Sequence, residues 1–423
     1  MNNTLKINKV AEFVSNIENE KLPCWVKFSE VRKAAKSILE TLDFPTTRDE
    51  YWKYTRTTKI TNKTYHFSNK SDEKINLDKV RIEGLETYEL VFINGFFSLK
   101  NSKLPFGDSI EIIFLKEYRQ HKHDSCFLKN IDSVSNIFSA LNTAYFTDGV
   151  LIKAKGNIKK PIHIINYSTG ENIISQPRNM FVSEKNSNVT IFESSINENT
   201  KSFFQNKVNE FFLEENSQLN HYIIQDFEPG LNTISTNVVN QENDSTFTSF
   251  VFTLKGDWIR NNTNVFVNGK NCNTNLFGAY QPKKNEHIDN HTIVDHLQPH
   301  CESNEHYKGT ISGKATAVFN GKVFVRKDAQ KINAFQSNNN ILLSDDATIN
   351  SKPELEIYAD DVKCSHGSTT GQLDEEAIFY LQSRGLSKKS ATELLVSAFL
   401  GEIVEKIEIP ELREKVLGLY EMS

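Results

Sequence analysis

The amino-acid sequence predicts a mainly β fold, an irregular parallel β-helix held between helical ends, and three observations carry that expectation. From Gly149 to about residue 372 the chain runs through short segments such as GVLIKA, PIHIINY and NVTIFESS, alternating polar and apolar residues at period two. Between them lie tight turns of Asn, Gly and Ser, and almost no helical pattern. Hydrophobic residues make up only 38% of the chain although it has 29 Phe, a balance that suits a fold with much surface per residue. A large sandwich or a propeller would share the strand rhythm. The asparagines, Asn261, Asn262, Asn264, Asn268, Asn271, Asn273 and Asn275 and then Asn338 to Asn340, favour stacked turns, because Asn tolerates the left-handed conformation and ladders between coils.

This divides the chain into an N-terminal helical region, 1–82, a β-helix core, 83–372, with a helical insertion near 131–146, and a C-terminal helical region, 373–423. In the first region, residues 5–20 and 27–42 have amphipathic periodicity. Pro45 then interrupts, and Thr47 is placed to cap a further helix anchored by Tyr51, Trp52 and Tyr54. The core opens with strands at 88–93 and 110–114, and the insertion carries Val134, Ile137, Phe138, Leu141 and Tyr145 on one face. In the last region, Asp374 can cap a helix with Glu375 and Glu376 in its first turn and Gly385 after its end. Ser387 caps a second helix and Pro410 starts a third. Helices at both ends are expected to close the exposed strand edges.

At 423 residues with a net charge of -5, from 49 Lys+Arg against 54 Asp+Glu, the chain offers no broad basic surface for nucleic acid. Its five cysteines, Cys24, Cys126, Cys272, Cys301 and Cys364, are far apart and lack a CxxC pair, which fits a reducing cytoplasm better than a disulfide framework. The N-terminus lacks the apolar core of a signal peptide. No apolar run approaches the ~20 residues of a membrane span.

Two groupings could carry chemistry. His287, His291, His296, His300, Cys301 and His306 crowd one segment, and the i,i+4 pairs would share a zinc on a helix. Thr292, Ile293 and Val294 make the segment a strand, however, where residues four apart stand roughly 13 Å from each other. A metal there would need ligands from different coils. Cys364 and His366 are two apart on a strand, so they face the same way with Cα atoms about 6.5 Å apart, near enough to share an iron or a persulfide sulfur. On the residues alone the bland alternative stands beside it, with Cys364 a small buried hydrophobe in step with Val362 and His366 a hydrogen-bonding turn residue. Neither a GxSxG elbow nor a phosphate-binding glycine loop is present.

Several long motifs are more specific. Leu342-Leu343-Ser344-Asp345, KPELEIYADDVKCSHGSTTGQLDEEAIFYLQSRGL (Lys352 to Leu386), VDHLQPH (Val294 to His300), FNGKVFV (Phe319 to Val325) and PTTRDEYWKYT (Pro45 to Thr55) closely resemble the SufB/SufD family of iron–sulfur cluster assembly proteins, on its SufD side. The resemblance implies a right-handed parallel β-helix between helical ends. It implies a non-catalytic scaffold that pairs with a SufB-like subunit and binds a SufC-like ATPase, to which the ATPase activity belongs. It makes His366, with Cys364 beside it, the candidate ligand of a transient iron or nascent cluster at the SufB interface, and Tyr380, Leu381, Arg384 and Leu386 the candidate SufC contacts. No tightly bound cofactor is implied, a flavin in the complex is compatible, and the isolated chain could form a homodimer. SufB's cysteine nucleophile has no counterpart here. The competing classes, a β-helix carbohydrate-active enzyme or a His-rich metal-binding β protein, would need a carboxylate constellation or a metal held by His287 to His306.

Overall fold

The computed structural model describes residues 9–18, 26–71, 73–107, 109–118 and 137–422. Cys24, Cys126 and residues 131–136 of the expected insertion lie outside them. From Val150 onward the strands alternate between two long sheets, an 11-stranded and a 10-stranded one, and every strand in this stretch pairs in parallel with the strand one coil away. The result is a parallel β-solenoid, as the strand rhythm predicts. Stacking is in register over long columns, so that Trp258, His287, Thr316 and Thr348 sit one above another.

The period-two pattern decides which side chains fill the solenoid. Phe181, Phe211, Phe247, Leu219, Leu231, Val239, Val265, Val294 and Phe319 all point inward to one continuous core. Phe181 and Phe211, paired in register, stack with ring centroids 4.8 Å apart. Each such side chain contributes about 1.5–3 kcal/mol by leaving water. Near the C-terminal end two glycines and two tyrosines form a checkerboard, Gly278 beside Tyr307 and Tyr280 beside Gly309. A β-carbon on Gly278 would stand 2.2 Å from the Tyr307 ring, and one on Gly309 2.1 Å from that of Tyr280. Each glycine is the space its neighbour's ring occupies.

Turn chemistry follows expectation in part. Asn94, Asn172, Asn186, Asn216 and Asn271 adopt positive φ between strands, Asn199 does so at a bulge within the strand Asn188–Lys201, and Asn216 donates to Asn186 at 2.7 Å across one coil. Asn261, Asn262, Asn264 and Asn338 to Asn340 depart from it, lying within the strands Trp258–Val267 and Ile332–Leu342. Their ladders run inside the sheets, as where Asn261 donates to Asn290 at 3.0 Å. Bonds of this kind from coil to coil, Asn261 to Asn290 and Asn262 to Thr236, let strand interiors tolerate buried amides, although Asn264 Nδ2 completes none.

Helices α1 (Lys9–Glu18) and α2 (Ser29–Thr41) form within the expected ranges, and α3 is the short turn Thr58–Thr61. Instead of the helix expected after Thr47 there is one 3₁₀ turn, Glu50–Trp52, because the Asp49 carboxylate takes the Thr46 N–H at 2.6 Å and folds the segment back. The insertion appears as α4 (Ile137–Tyr145), buried on all sides rather than one, since α2 covers it and the first sheet lies beneath. Asn142 fixes it there by donating to the Pro177 and Asn206 carbonyls.

At the C-terminus the predicted caps hold. Asp374 accepts from the Glu376 N–H ahead of α5 (Glu375–Ser383), Ser387 accepts from the Ser390 N–H ahead of α6 (Lys388–Val404), and Pro410 opens α7 (Pro410–Met422). Closure of the edges by helices is contradicted. The N-terminal helices pack on the outer face of the first sheet through Phe13, Leu39, Trp52 and Phe138. α6 and α7 turn back along the outer face of the second, through Val396, Leu400, Leu412 and Tyr420. Their apolar stripes match the flat outer sheet faces, whereas a strand edge offers only polar backbone groups.

Candidate functional site

Because the C-terminal helices turn away, no other strand among the described residues pairs with the outer side of the last coil. Strands Thr348–Ile357 and Val362–Gly371 each end their sheet and pair on one side only. Cys364 and His366 lie on the second of these strands, and register explains their differing surroundings. Cys364 stacks on Ala334, packs against the end of the hydrophobic core, and is half-buried, so burial pushes its thiol up. His366 stacks on Gln336 in the same inward-facing column, but no further coil covers it and it is exposed. The structure thus brings the two together on one face, as their spacing requires. It makes Cys364 partly the buried hydrophobe of the bland alternative and leaves His366 accessible.

The interior beneath this coil is polar. Tyr280 donates to Asn340 Oδ1 at 2.6 Å and receives from Asn338 Nδ2 at 2.8 Å. Asn338 Oδ1 then accepts from Ser351, and Ser351 Oγ from Ser368, each at 2.8 Å, which carries the network up to the last strand. Lower in the His366 column sits Glu305, fully buried, its Oε2 accepting from Thr292 Oγ1 at 2.5 Å. Burial pushes its carboxyl up to about 7, with the Thr292 hydroxyl and the Gln336 amide working against the shift. Neither Gln336 nor Glu305 stands out in the sequence, since nothing local says which residue of a coil lies beneath which.

The histidine-rich segment is divided among several roles. His287 meets Thr55 Oγ1 at 2.9 Å and His291 meets Asp289 at 3.0 Å on the outer side of strand His287–His296. His296 points inward to Ser303, and burial lowers its pKa to about 4. His300 takes a turn at φ 63°, and His306 faces Glu402 of α6. Among the described residues no group of three or more His, Cys, Asp or Glu is placed to hold a metal.

The helical candidates form a second exposed patch. No residue of α5 is buried. Tyr380 is 57% exposed and receives a hydrogen bond from Arg384 at 3.1 Å, Leu386 is exposed just past the helix, and Leu381 is half-buried. Phe379, which no sequence pattern singles out, is the most exposed of these apolar side chains at 73%, and Leu394 of α6 adds to the patch. Beside it lies a cleft of about 630 Å³ lined by Leu343, Leu386, Leu394, Val396 and Tyr420.

Comparison with known proteins fits this architecture. Residues 165–399 match the SufBD core domain of the SUF iron–sulfur cluster assembly system, and residues 13–164 match the N-terminal region of SufBD proteins. The chain belongs to the SufBD family. Among the relatives of this SufBD chain, a SufBD family iron–sulfur cluster assembly protein of Synechocystis is 34% identical over 405 residues, covering 91% of this chain and 88% of the relative. The iron–sulfur cluster assembly protein SufD of Escherichia coli is 29% identical over 378 residues, 88% of each chain. As a SufBD protein the chain serves iron–sulfur cluster assembly. No helix among its described residues is long and apolar enough to cross a membrane.

Proposed function

We propose that this SufBD chain is the SufD-type scaffold of a cytoplasmic assembly complex, pairing with a SufB-like subunit over its bare last coil and binding a SufC-like ATPase through α5 and the start of α6. The observation that carries this reading is the unpaired edge at Thr348–Ile357 and Val362–Gly371 with His366 exposed on it. An open edge is completed by another chain's strand, with main-chain hydrogen bonds giving affinity and side-chain pockets giving specificity. In such a pairing His366 supplies an imidazole, a good ligand for iron, while sulfide and the partner's thiolates supply the softer donors. The cluster is cargo, built at the interface and passed on. Cys364, with its thiol held protonated by burial, acts as a packing neighbour more than as a ligand.

The ATPase docks on the exposed aromatic and apolar face of Phe379, Tyr380, Leu381, Arg384 and Leu386, of the composition that anchors protein interfaces. ATP binding in a SufC pair pulls on α5 and through it on α6 and α7, which are packed on the solenoid flank by Tyr420 of α7 donating to the Ala279 carbonyl at 2.7 Å and by Lys308 pairing with Glu402 of α6. That pull biases the edge-to-edge interface between two arrangements. The chain itself performs no catalysis, a flavin in the complex is compatible with this role, and the same edge admits a homodimer when no partner is present.

Affinity purification from cell extract tests the reading. A SufB-like chain and an ATPase should co-purify with the wild type, and His366→Ala should assemble the same complex while failing to mature clusters. Normal cluster maturation by that variant would remove His366 from the mechanism.

A further inference from the structure

The column under His366 continues inward in a way its neighbours do not. Register puts His366 over Gln336 and Gln336 over Glu305, each one strand spacing, ~4.8 Å, from the next. Gln336 and Glu305 are 3% and 1% exposed. On the facing sheet Gly321 lies so close that a β-carbon there would stand 2.2 Å from Gln336 Nε2, so the amide is confined on that side. Glu305 Oε2 is taken by Thr292, but Glu305 Oε1 and both amide atoms of Gln336 complete no hydrogen bond. The nearby amides of Asn338 and Asn340 are bonded, so Gln336 stands apart.

We propose that Gln336 is a positioning residue for His366, its Oε1 accepting the imidazole Nδ1–H and its Nε2 donating down to Glu305 Oε1. The imidazole is then held in the tautomer whose Nε2 lone pair points out of the last coil. Metal-binding histidines are ordinarily oriented in this way through their other nitrogen, and here the acceptor is an amide one coil deeper. Thr292, Glu305 and Gln336 form the chain of supports, each fixing the next. The inference rests on His366 being the outward ligand proposed above.

Nitrogen-15 histidine NMR of the full chain tests it, with the His366 signals identified by their loss in His366→Ala. The wild type should show His366 as the Nδ1–H tautomer. Gln336→Leu should shift the tautomer ratio towards Nε2–H by about fivefold, the worth of one net hydrogen bond. Gln336→Glu, which keeps an acceptor at that position, should keep Nδ1–H. An Nε2–H tautomer in the wild type, or an unchanged ratio in folded Gln336→Leu, would overturn the proposal. If Gln336→Leu does not fold, the wild-type tautomer and its retention in Gln336→Glu decide. Cluster maturation in His366→Ala cells tests the ligand role separately, so a failure of that role and a failure of Gln336 to position the ring are told apart.

Discussion

Arg260 lays its guanidinium on the Trp52 ring, carbon to centroid 3.8 Å, and its Nη1 donates to Asp289 Oδ2 at 2.6 Å. One side chain therefore ties the N-terminal segment to the solenoid. Arg260→Ala would leave Asp289 buried without its cationic partner, with His291 and Thr55 as its remaining contacts, and should lower stability by about 2–4 kcal/mol, short of the loss for a fully unpaired buried charge. Arg260→Lys should restore little, because an ammonium neither stacks nor forks in the same way. Urea unfolding measures both, and a loss below about 1 kcal/mol in Arg260→Ala would contradict the assignment.

Acid should unfold the protein in two stages. Burial lowers His296 from 6.5 to about 4, so its neutral form favours the fold above pH 6.5, and that contribution fades as pH falls through 6.5 towards 4. Glu193, buried against Lys207 and His221, drops from 4.5 to about 2, and its contribution is lost as pH falls below 4.5. Each is worth about 3 kcal/mol at ~1.4 kcal/mol per pKa unit. Because Glu305 titrates with the opposite sign over much of this window, the histidine's share is read by difference: in thermal unfolding followed from pH 7 to 4, His296→Gln should gain stability relative to the wild type as pH falls below 6.5.

Glu305 has the opposite sign. Its pKa rises from 4.5 to about 7, so its preference for the neutral form stabilises the fold below pH 4.5, and that contribution is lost as pH climbs to 7. Glu305→Gln should gain stability relative to the wild type across that window, with the gain levelling off above it. A difference that stays constant with pH would show that the carboxyl does not titrate there.

The glycine–tyrosine checkerboard predicts steric losses. Gly278→Ala and Gly309→Ala each force a methyl into a fixed ring and should cost about 1–3 kcal/mol. Relief should come from pairing Gly278→Ala with Tyr307→Leu, which frees the space the methyl needs. A calorimetric melt of the single and double variants checks the coupling.

On α5, Phe379→Asp should leave the melting temperature nearly unchanged, since the ring touches little of its own chain. It should weaken capture of the ATPase partner by tenfold or more, on the order of 1.4 kcal/mol. Undiminished capture would move the docking face elsewhere.

Much of the architecture was legible because it is local. Period-two alternation marks the strands, and Asp374, Ser387 and Pro410 mark helix starts by the capping chemistry of single residues. What escaped is set between coils. The stacking of His366 on Gln336 and Glu305 depends on turn lengths and register, which no window of sequence displays. Thr47 failed as a cap because Asp49, two residues on, made the stronger local bond. Which edges stay bare depends on where α6 and α7 find a flat apolar face, again a tertiary choice.

The bare edge also bears on supply. Along it Lys352, Glu354 and Glu356 place charges that discourage casual pairing with like chains, and Lys352 is further held by Glu50. Such guards slow aggregation without abolishing it, so chain in surplus over the partner proposed above is a liability. On that proposal, a cell making this protein must match the dosage of the two halves of one continuous sheet.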